Sequence, residues 1–245
     1  MKIHVEWGMR ALDAECDALV IVDCLSFSTA VCVAGGKGAK VYPFGLADEV
    51  VDFASQNGIR VANKRDQGGM TLSPPSLARL KPNEQIILPS PNGSTLSLFA
   101  EADLVVAGCL RNAVAVAAWL NTATPERVMI VAAGEKWPDG TLRPAFEDWV
   151  ASGAIIAGLE GAKTTEALAA EAAFKAVKNN LKQQMLNCVS GQELCSRGFE
   201  PDVAWAADVD ADNCVPKLHK MAKTYADFGV VDKKIRHKNI RYFMA

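Results

Sequence analysis

Polar and acidic side chains follow three aliphatic runs of the sequence, and their types suit them to chemistry. A segment with helical spacing comes after each run, so these residues lie in predicted strand-to-helix turns. In open parallel sheets, ligands bind beyond the carboxyl ends of the strands, where such turns meet. In chain order the candidates are Asp23, Ser26, Ser28, Thr29, Ser90, Asn92, Gly93, Ser94, Glu135, Glu147 and Asp148.

The turn over residues 90–94, which reads SPNGS, has the properties of an anion-binding turn. Gly93 permits close approach of the backbone, and the helix predicted to follow it supplies unpaired N–H groups. The predicted phosphate ligands are Ser90, Asn92, Gly93 and Ser94 from this turn and Ser26, Ser28 and Thr29 from the first turn. An ordinary capped turn uses the same residue types, so the motif alone leaves both interpretations open.

Four carboxylates in the turns supply the hard oxygen ligands that Mg²⁺ takes: Asp23, Glu135, Glu147 and Asp148. Mg²⁺ beside a phosphate site indicates phosphoryl chemistry, with Asp23, Glu147 and Asp148 as the predicted catalytic residues. Asp23 could instead cap the following helix, or act as a nucleophile that forms an aspartyl-phosphate. Acidic residues at a helix start are also stabilised by the helix dipole without any catalytic role.

The elements that must position these residues alternate between strands and helices. We predict strands in the runs DALVIVDCL, KVYPF, IRVANKR, QIILP, DLVVAGC, RVMIVAAGE and KNIRYFMA. Helices are predicted in SFSTAVCVAGGKGA, ADEVVDFASQNG, LRNAVAVAAWLN, EDWVASGAIIAGLEG and TTEALAAEAAFKAVKNNLKQQMLN, and after the SPNG turn. Continuous aliphatic strands alternating with helices indicate a largely parallel sheet covered on both faces. Residues 64–84 are predicted to be a loop that folds over a site.

Length and composition limit the class of protein. The chain has 245 residues, 50% of them hydrophobic and 22% charged, and a formal net charge of -2. We expect one α/β domain over residues 1–245, although a recurring strand-turn-helix unit also allows two similar lobes at about 1–125 and 126–245. The charge balance argues against nucleic-acid binding, and no signal peptide or membrane-spanning run is predicted, which favours a cytoplasmic protein without a membrane partner.

Several other chemistries lack their motifs. The three histidines lie outside the predicted turns, and the sequence has no GxSxG, GxxxxGK[ST] or GxGxxG motif. The seven cysteines form no CxxC pair, so neither a disulfide framework nor a zinc site is predicted.

At these turns the sequence resembles the 2-phosphosulfolactate phosphatase family, Mg²⁺-dependent acid phosphatases known from coenzyme M biosynthesis. The resemblance rests on six ordered blocks, which read VIVDCLSFSTAVCVAGGKGAKVYPF, LPSPNGSTLS, VAGCLRNAVAVA, IVAAGE, FEDWVASGAIIAGL and SGQELCSRGFEPDVAWAADVDADNCVPKL. It implies a three-layer α/β/α architecture, a Mg²⁺ site and hydrolysis of a phosphate ester of a small anionic acid. A homodimer is a possible assembly.

One position departs from the family pattern. The first motif of the family normally carries an arginine where this chain has Ser26. A serine offers neither the charge nor the forked geometry of a guanidinium, so we expect altered substrate preference unless Arg111, Lys136 or Arg143 takes its place. A second hypothesis follows, in which the protein binds a small anion or phosphate ester on the same fold without turning it over.

Overall fold

A ten-stranded sheet forms the centre of the protein in the computed structural model, which describes residues 1–45 and 49–245. Its strands are β1 (Lys2–Trp7), β2 (Ala18–Val22), β3 (Lys40–Phe44), β4 (Arg60–Val61), β5 (Gln85–Pro89), β6 (Leu104–Ala107), β7 (Arg127–Ala132), β10 (Ala162–Lys163), β11 (Lys217–Thr224) and β12 (Asn239–Met244). A separate hairpin pairs β8 (Glu135–Lys136) with β9 (Leu142–Arg143).

The sheet consists of two parallel blocks joined by an antiparallel hairpin. Its strand order is β10-β1-β7-β2-β6-β11-β12-β3-β5-β4. The first five strands are mutually parallel, as are the last three, whereas β11 and β12 pair antiparallel with each other and with their outer neighbours. The prediction of a mainly parallel sheet is therefore confirmed. The two halves of the chain are interleaved, because β7 lies between β1 and β2.

Helices cover both faces of the sheet, which confirms the three-layer α/β/α architecture. They are α1 (Phe27–Gly36), α2 (Glu49–Asn57), α3 (Pro74–Leu77), α4 (Gly93–Phe99), α5 (Ala113–Ala123), α6 (Phe146–Ala157), α7 (Thr165–Val177), α8 (Leu181–Asn187), α9 (Val189–Ser196) and α10 (Glu200–Ala206).

The side chains of β2 pack into the helix layers on both faces of the sheet. Val20 and Val22 point into a core that includes residues of α5 and α6, whereas Leu19 and Ile21 point into a core with α1 and α4. All five residues of the strand are buried, as expected for a continuous aliphatic run covered on both faces. Removal of each large aliphatic side chain from water contributes roughly 1.5–3 kcal/mol, so this strand is fixed in position and fixes the turn that follows it.

Several elements differ from the sequence predictions. Strand β1 and strand β11 were not predicted, because both carry polar side chains among their apolar ones. The single helix predicted over residues 164–187 is broken into α7 and α8 by a short 3-10 turn, Lys178–Asn180. The predicted loop over residues 64–84 contains α3, and residues 47–48 of the predicted helix ADEVVDFASQNG lie outside the described residues.

Two further expectations concern cysteines and membranes. All seven cysteines carry free thiols, and three of them are buried. In residues 1–45 and 49–245, no helix has both the length and the apolar character required to cross a membrane.

Close packing of α6 on α7 gives a prediction for stability. A Cβ atom added at Gly153 would lie 2.0 Å from the backbone oxygen of Ala170, so Gly153→Ala must push the two helices apart. We expect the free energy of unfolding, measured by urea denaturation, to fall by about 2–3 kcal/mol. Gly36→Ala near the end of α1 is the control, because its added Cβ would have no neighbour closer than 3.8 Å. Equal stability of both variants would contradict the close approach.

Candidate active site

The turns after β2, β5 and β7 meet at one end of the sheet. Strands β2 and β7 are neighbours, with Val22 opposite Ala132, so the segments that follow them begin side by side. The turns were expected to follow neighbouring strands, but four strands separate β2 from β5 in the sheet, so this expectation is wrong for β5. The turn after β5 nevertheless reaches the site, because α4 packs back against β2.

Asp23 joins the turn after β2 to the turn after β5. Its side chain is 5% exposed, and Oδ1 accepts the N–H of Phe27 at 3.1 Å. Oδ2 accepts the N–H of Gly93 at 2.8 Å and the hydroxyl of Ser90 at 3.5 Å. A buried carboxylate needs such donors, and here they come from two turns that are far apart in sequence.

Asp148, in the first turn of α6, joins the turn after β2 to the turn after β7. Its Oδ1 accepts the N–H of Cys24 at 2.7 Å, and its Oδ2 accepts the N–H of Gly134 at 2.8 Å. Asp148 therefore connects the ends of β2 and β7 through hydrogen bonds. The dipole of α6 also favours its negative charge.

Glu135 and Glu147 are held less completely. Oε2 of Glu135 accepts the side-chain amide of Asn92 at 2.9 Å, and Oε2 of Glu147 lies 3.5 Å from the thiol of Cys188. In the part of the chain that the structure describes, the second oxygen of each glutamate has no hydrogen-bond partner. These two oxygen atoms can therefore bind a ligand without loss of a hydrogen bond.

The four carboxylates form one electrostatic unit. Burial raises the pKa of Asp23, although its backbone N–H donors oppose this shift. Burial and the charge of Glu147 raise the pKa of Asp148 well above its usual value. Burial and the Asp23 charge raise the pKa of Glu135 to about 7. Among the described residues, no lysine or arginine forms an ion pair with any of the four. The charges of Arg65 and Arg143 lower the pKa of Asp23 and of Glu135 only in part, so protons or a bound cation reduce the remaining repulsion.

The donor set suits a hard divalent cation. Within residues 1–45 and 49–245, no three acidic, histidine or cysteine side chains converge as a preformed metal site. Mg²⁺ does not require one, because it binds through one or two carboxylates and completes its shell with water and substrate oxygens. The free oxygens of Glu135 and Glu147 and the mutual repulsion of the cluster fit this mode of binding.

Apart from Ser26, the predicted phosphate ligands fall into two groups. Ser90, Asn92 and Gly93 lie against Asp23 and Glu135. The hydroxyls of Ser28, Thr29 and Ser94 are fully buried and donate to backbone carbonyls, those of Ile21, Cys24 and Leu88 at 2.7–2.8 Å. These three hydroxyls stabilise their turns. Their role as phosphate ligands stays a prediction, because each would have to break its hydrogen bond to a carbonyl in order to donate to phosphate.

Two cavities adjoin the carboxylates. One, of about 260 Å³, is lined by Asn92 and Glu135 together with Lys136 and apolar side chains that include Leu96 and Leu142. The other, of about 280 Å³, is lined by Arg143, Glu147, Cys188 and Ser190 among others. Both volumes suit small molecules, and each cavity is bordered by one of the two glutamates with a free oxygen.

Sequence reasoning missed Arg65 and its partner Asp202. Arg65 donates from Nη2 to Ser26 Oγ at 2.8 Å and from Nε to Asp202 at 2.9 Å. The loop over residues 64–84 was predicted to cover a site, but nothing in its sequence singles out this arginine.

The three basic residues proposed as substitutes for the missing arginine lie elsewhere. Arg111 pairs with Asp212 and Asp208, Arg143 pairs with Glu193, and Lys136 lines the first cavity. A guanidinium therefore lies at Ser26, but it comes from the loop before α3 rather than from any of these three positions.

Comparison with known proteins identifies a family that matches most of the chain. The model of a family described as 2-phosphosulpholactate phosphatase matches residues 9–221. A protein from Carboxydothermus hydrogenoformans named probable 2-phosphosulfolactate phosphatase is 31% identical over 231 residues, which cover 89% of this chain and 94% of that protein. A Thermotoga maritima protein of the same name is 26% identical over 211 residues, covering 83% of this chain and 90% of its own.

A protein from Methanothermobacter thermautotrophicus named 2-phosphosulfolactate phosphatase is 28% identical over 205 residues, covering 80% of this chain and 84% of its own. The segment that matches the family model contains all four carboxylates, the turn over residues 90–94 and Arg65. The chain therefore belongs to the 2-phosphosulfolactate phosphatase family of phosphoric monoester hydrolases.

Proposed function

We propose that the protein is a Mg²⁺-dependent phosphatase that hydrolyses the phosphate monoester of a small anionic acid, 2-phosphosulfolactate or a related compound. The observation that carries this proposal is the cluster of Asp23, Glu147 and Asp148, which are buried, with the half-buried Glu135; Asp23 and Glu135 contact the turn over residues 90–94. Because the carboxylates repel an anion, the cluster binds one only together with a cation. A phosphate ester bound with a divalent metal ion meets that requirement.

Of the four predicted metal ligands, Asp23, Glu135, Glu147 and Asp148, one or two would bind the metal directly. When bound, Mg²⁺ neutralises charge on the phosphoryl group and lowers the pKa of a water molecule. Asp23 and Asp148 mainly hold the turns of the site in place, because each already accepts two backbone N–H groups. Glu135 and Glu147 contribute the oxygens that have no other partner.

The turn after β5 orients the phosphate. The side-chain amide of Asn92 donates one N–H to Glu135 and has a second N–H for a substrate oxygen. Gly93 is required at its position, since an added Cβ would lie 2.3 Å from the ring of Phe27 and 2.8 Å from Oδ2 of Asp23. The backbone of this turn can therefore approach Asp23 only where a side chain is absent.

A water nucleophile is favoured over Asp23. Both oxygens of Asp23 accept backbone N–H groups, which lower the electron density available for attack on phosphorus. The experiment that separates the two routes is a search for a covalent phosphoryl group on Asp23 after rapid quenching. Its absence during steady turnover supports attack by water.

The enzyme is expected to require Mg²⁺. Phosphate release from small phosphorylated hydroxy acids should stop in excess EDTA and return when Mg²⁺ is added, because the carboxylates alone repel the substrate. Release that is unaffected by EDTA would contradict the metal requirement. Stabilisation by the esters without any phosphate release would favour the anion-binding alternative.

Asp23→Asn should lower kcat by at least about a hundredfold, because it removes charge from the carboxylate cluster and replaces an acceptor of backbone N–H groups. The control is Asp17→Asn, since Asp17 Oδ2 accepts a backbone N–H from Arg127 at 2.8 Å, away from the site at the start of β2. Phosphate release at saturating Mg²⁺ and melting temperature are measured for both. Equal activity of the two variants would exclude Asp23 from the chemistry.

The metal-free protein should lose stability as pH rises from 5 to 8. The pKa of Glu135 is about 7 in the folded protein, above its ordinary value of 4.5, because of burial and the charges of Asp23 and Glu147 against opposing contacts from Asn92 and Arg143. The folded state thus binds this proton more tightly than the unfolded state. Its stabilising contribution is complete below pH 4.5 and lost as pH passes 7, a change of about 2–3 kcal/mol.

Urea unfolding in EDTA at several pH values tests this expectation. Glu135→Gln should flatten the profile, and Mg²⁺ should restore stability to the wild type at pH 8. A wild-type profile that rises with pH, or one that the substitution leaves unchanged, would contradict the raised pKa.

A further inference from the structure

Arg65 reaches the site from a part of the chain that the phosphatase assignment leaves without a role. It begins a short 3-10 turn, Arg65–Gln67, between β4 and α3. Its guanidinium contacts Ser26, which directly precedes Phe27, and the N–H of Phe27 binds the Asp23 carboxylate. The guanidinium therefore lies at the edge of the carboxylate cluster.

The position of Arg65 is fixed by a buried partner. Asp202 is 2% exposed, and its Oδ2 accepts from Nε of Arg65 at 2.9 Å, while its Oδ1 accepts the hydroxyl of Ser73. The ring of Phe199 lies 5.8 Å from the guanidinium carbon. An arginine held at Nε and against an aromatic ring presents its remaining donors in a fixed direction.

Most of the donors of Arg65 remain available. A guanidinium has five N–H groups, and two of them bind Asp202 and Ser26. The other three meet no acceptor in residues 1–45 and 49–245, although the side chain is only 14% exposed. Oriented donors shielded from water and placed at the edge of the carboxylate cluster favour a planar, bidentate oxyanion.

Two buried arginines already have acidic partners of their own. Arg111 uses its guanidinium on Asp212, Asp208 and the carbonyl of Trp205. Arg143 pairs with Glu193. Arg65 thus has the combination of anchoring, free donors and contact with the Asp23 turn that anion binding requires.

We propose that Arg65 is the oxyanion-binding residue of this site and that its free N–H groups hydrogen-bond an acidic group of the substrate. Asp202 and Ser26 are positioning residues that hold the guanidinium in place. This inference rests on the proposed function for the identity of the ligand, a phosphorylated small acid. It assigns substrate preference to a residue in the loop before α3.

The test compares two phosphate esters that differ in one acidic group: 2-phosphoglycolate, which has a carboxylate, and ethyl phosphate, which has none. Binding is measured as the shift in melting temperature with ester concentration, which needs no turnover, and KM and kcat are measured separately by phosphate release. Arg65→Met should weaken binding and raise KM by about ten- to hundredfold for the ester whose oxyanion it holds.

The pattern of loss identifies that oxyanion. A loss confined to 2-phosphoglycolate places the carboxylate on Arg65. Equal losses for both esters, with weaker binding of inorganic phosphate, place the phosphoryl group there. Either result supports the proposal, and binding that depends on Arg65 would do so even if the wild type released no phosphate and the proposed function failed.

Two further variants separate anion binding from a structural role. Arg111→Met is the matched control, because Arg111 is also buried, paired with aspartates and packed on an aromatic ring, that of Trp205. It should lower the melting temperature without changing KM. Ser26→Arg combined with Arg65→Met returns a guanidinium to the same place from the other turn, and should recover most of the lost affinity.

Three results would overturn the proposal: unchanged binding and KM in Arg65→Met, a change in kcat or melting temperature alone, or losses matched by Arg111→Met. Arg65→Lys covers the case in which Arg65→Met does not fold. It keeps the charge beside Asp202 but lacks the forked donors, so affinity should still fall.

Discussion

The structure depends on keeping four acidic side chains together against their mutual repulsion. Asp23 and Asp148 are buried, and each is stabilised by backbone N–H groups from turns that belong to different strands. Those hydrogen bonds offset the cost of burial, and they also fix where the turns lie relative to one another. The carboxylates proposed to act in the chemistry are thus also the contacts that assemble the site.

The long sheet explains why such contacts are needed. The antiparallel hairpin of β11 and β12 separates the block that holds β2 and β7 from the block that holds β5. Sheet hydrogen bonds alone would leave the turn after β5 far from Asp23. The packing of α4 against β2 and the Gly93 N–H bond to Asp23 close that distance, and the lack of a side chain at Gly93 makes the approach sterically allowed.

Local patterns in the sequence predicted the parts of this arrangement that depend on local physics. The aliphatic runs of β2, β5 and β7, the glycine turn and the acidic start of α6 are readable because burial and helix capping act on neighbouring residues. The contact between Arg65 and Asp202 joins residues 137 positions apart, and the insertion of β11 and β12 pairs Phe243 with Val41 and Lys217 with Val106. No short window of sequence contains that information.

The same electrostatics couple protons to metal in the proposed enzyme. With a pKa of about 7, Glu135 carries a proton in a large fraction of metal-free molecules near neutral pH, and a protonated carboxyl is a poor ligand for a divalent cation. Binding of Mg²⁺ must therefore release that proton, and affinity for the metal rises with pH until the glutamate is fully ionised. An anionic substrate is repelled by the ionised carboxylates. It binds well only after the cation has reversed the local charge. The cluster thus favours an order in which metal precedes substrate, and this order follows from charge alone.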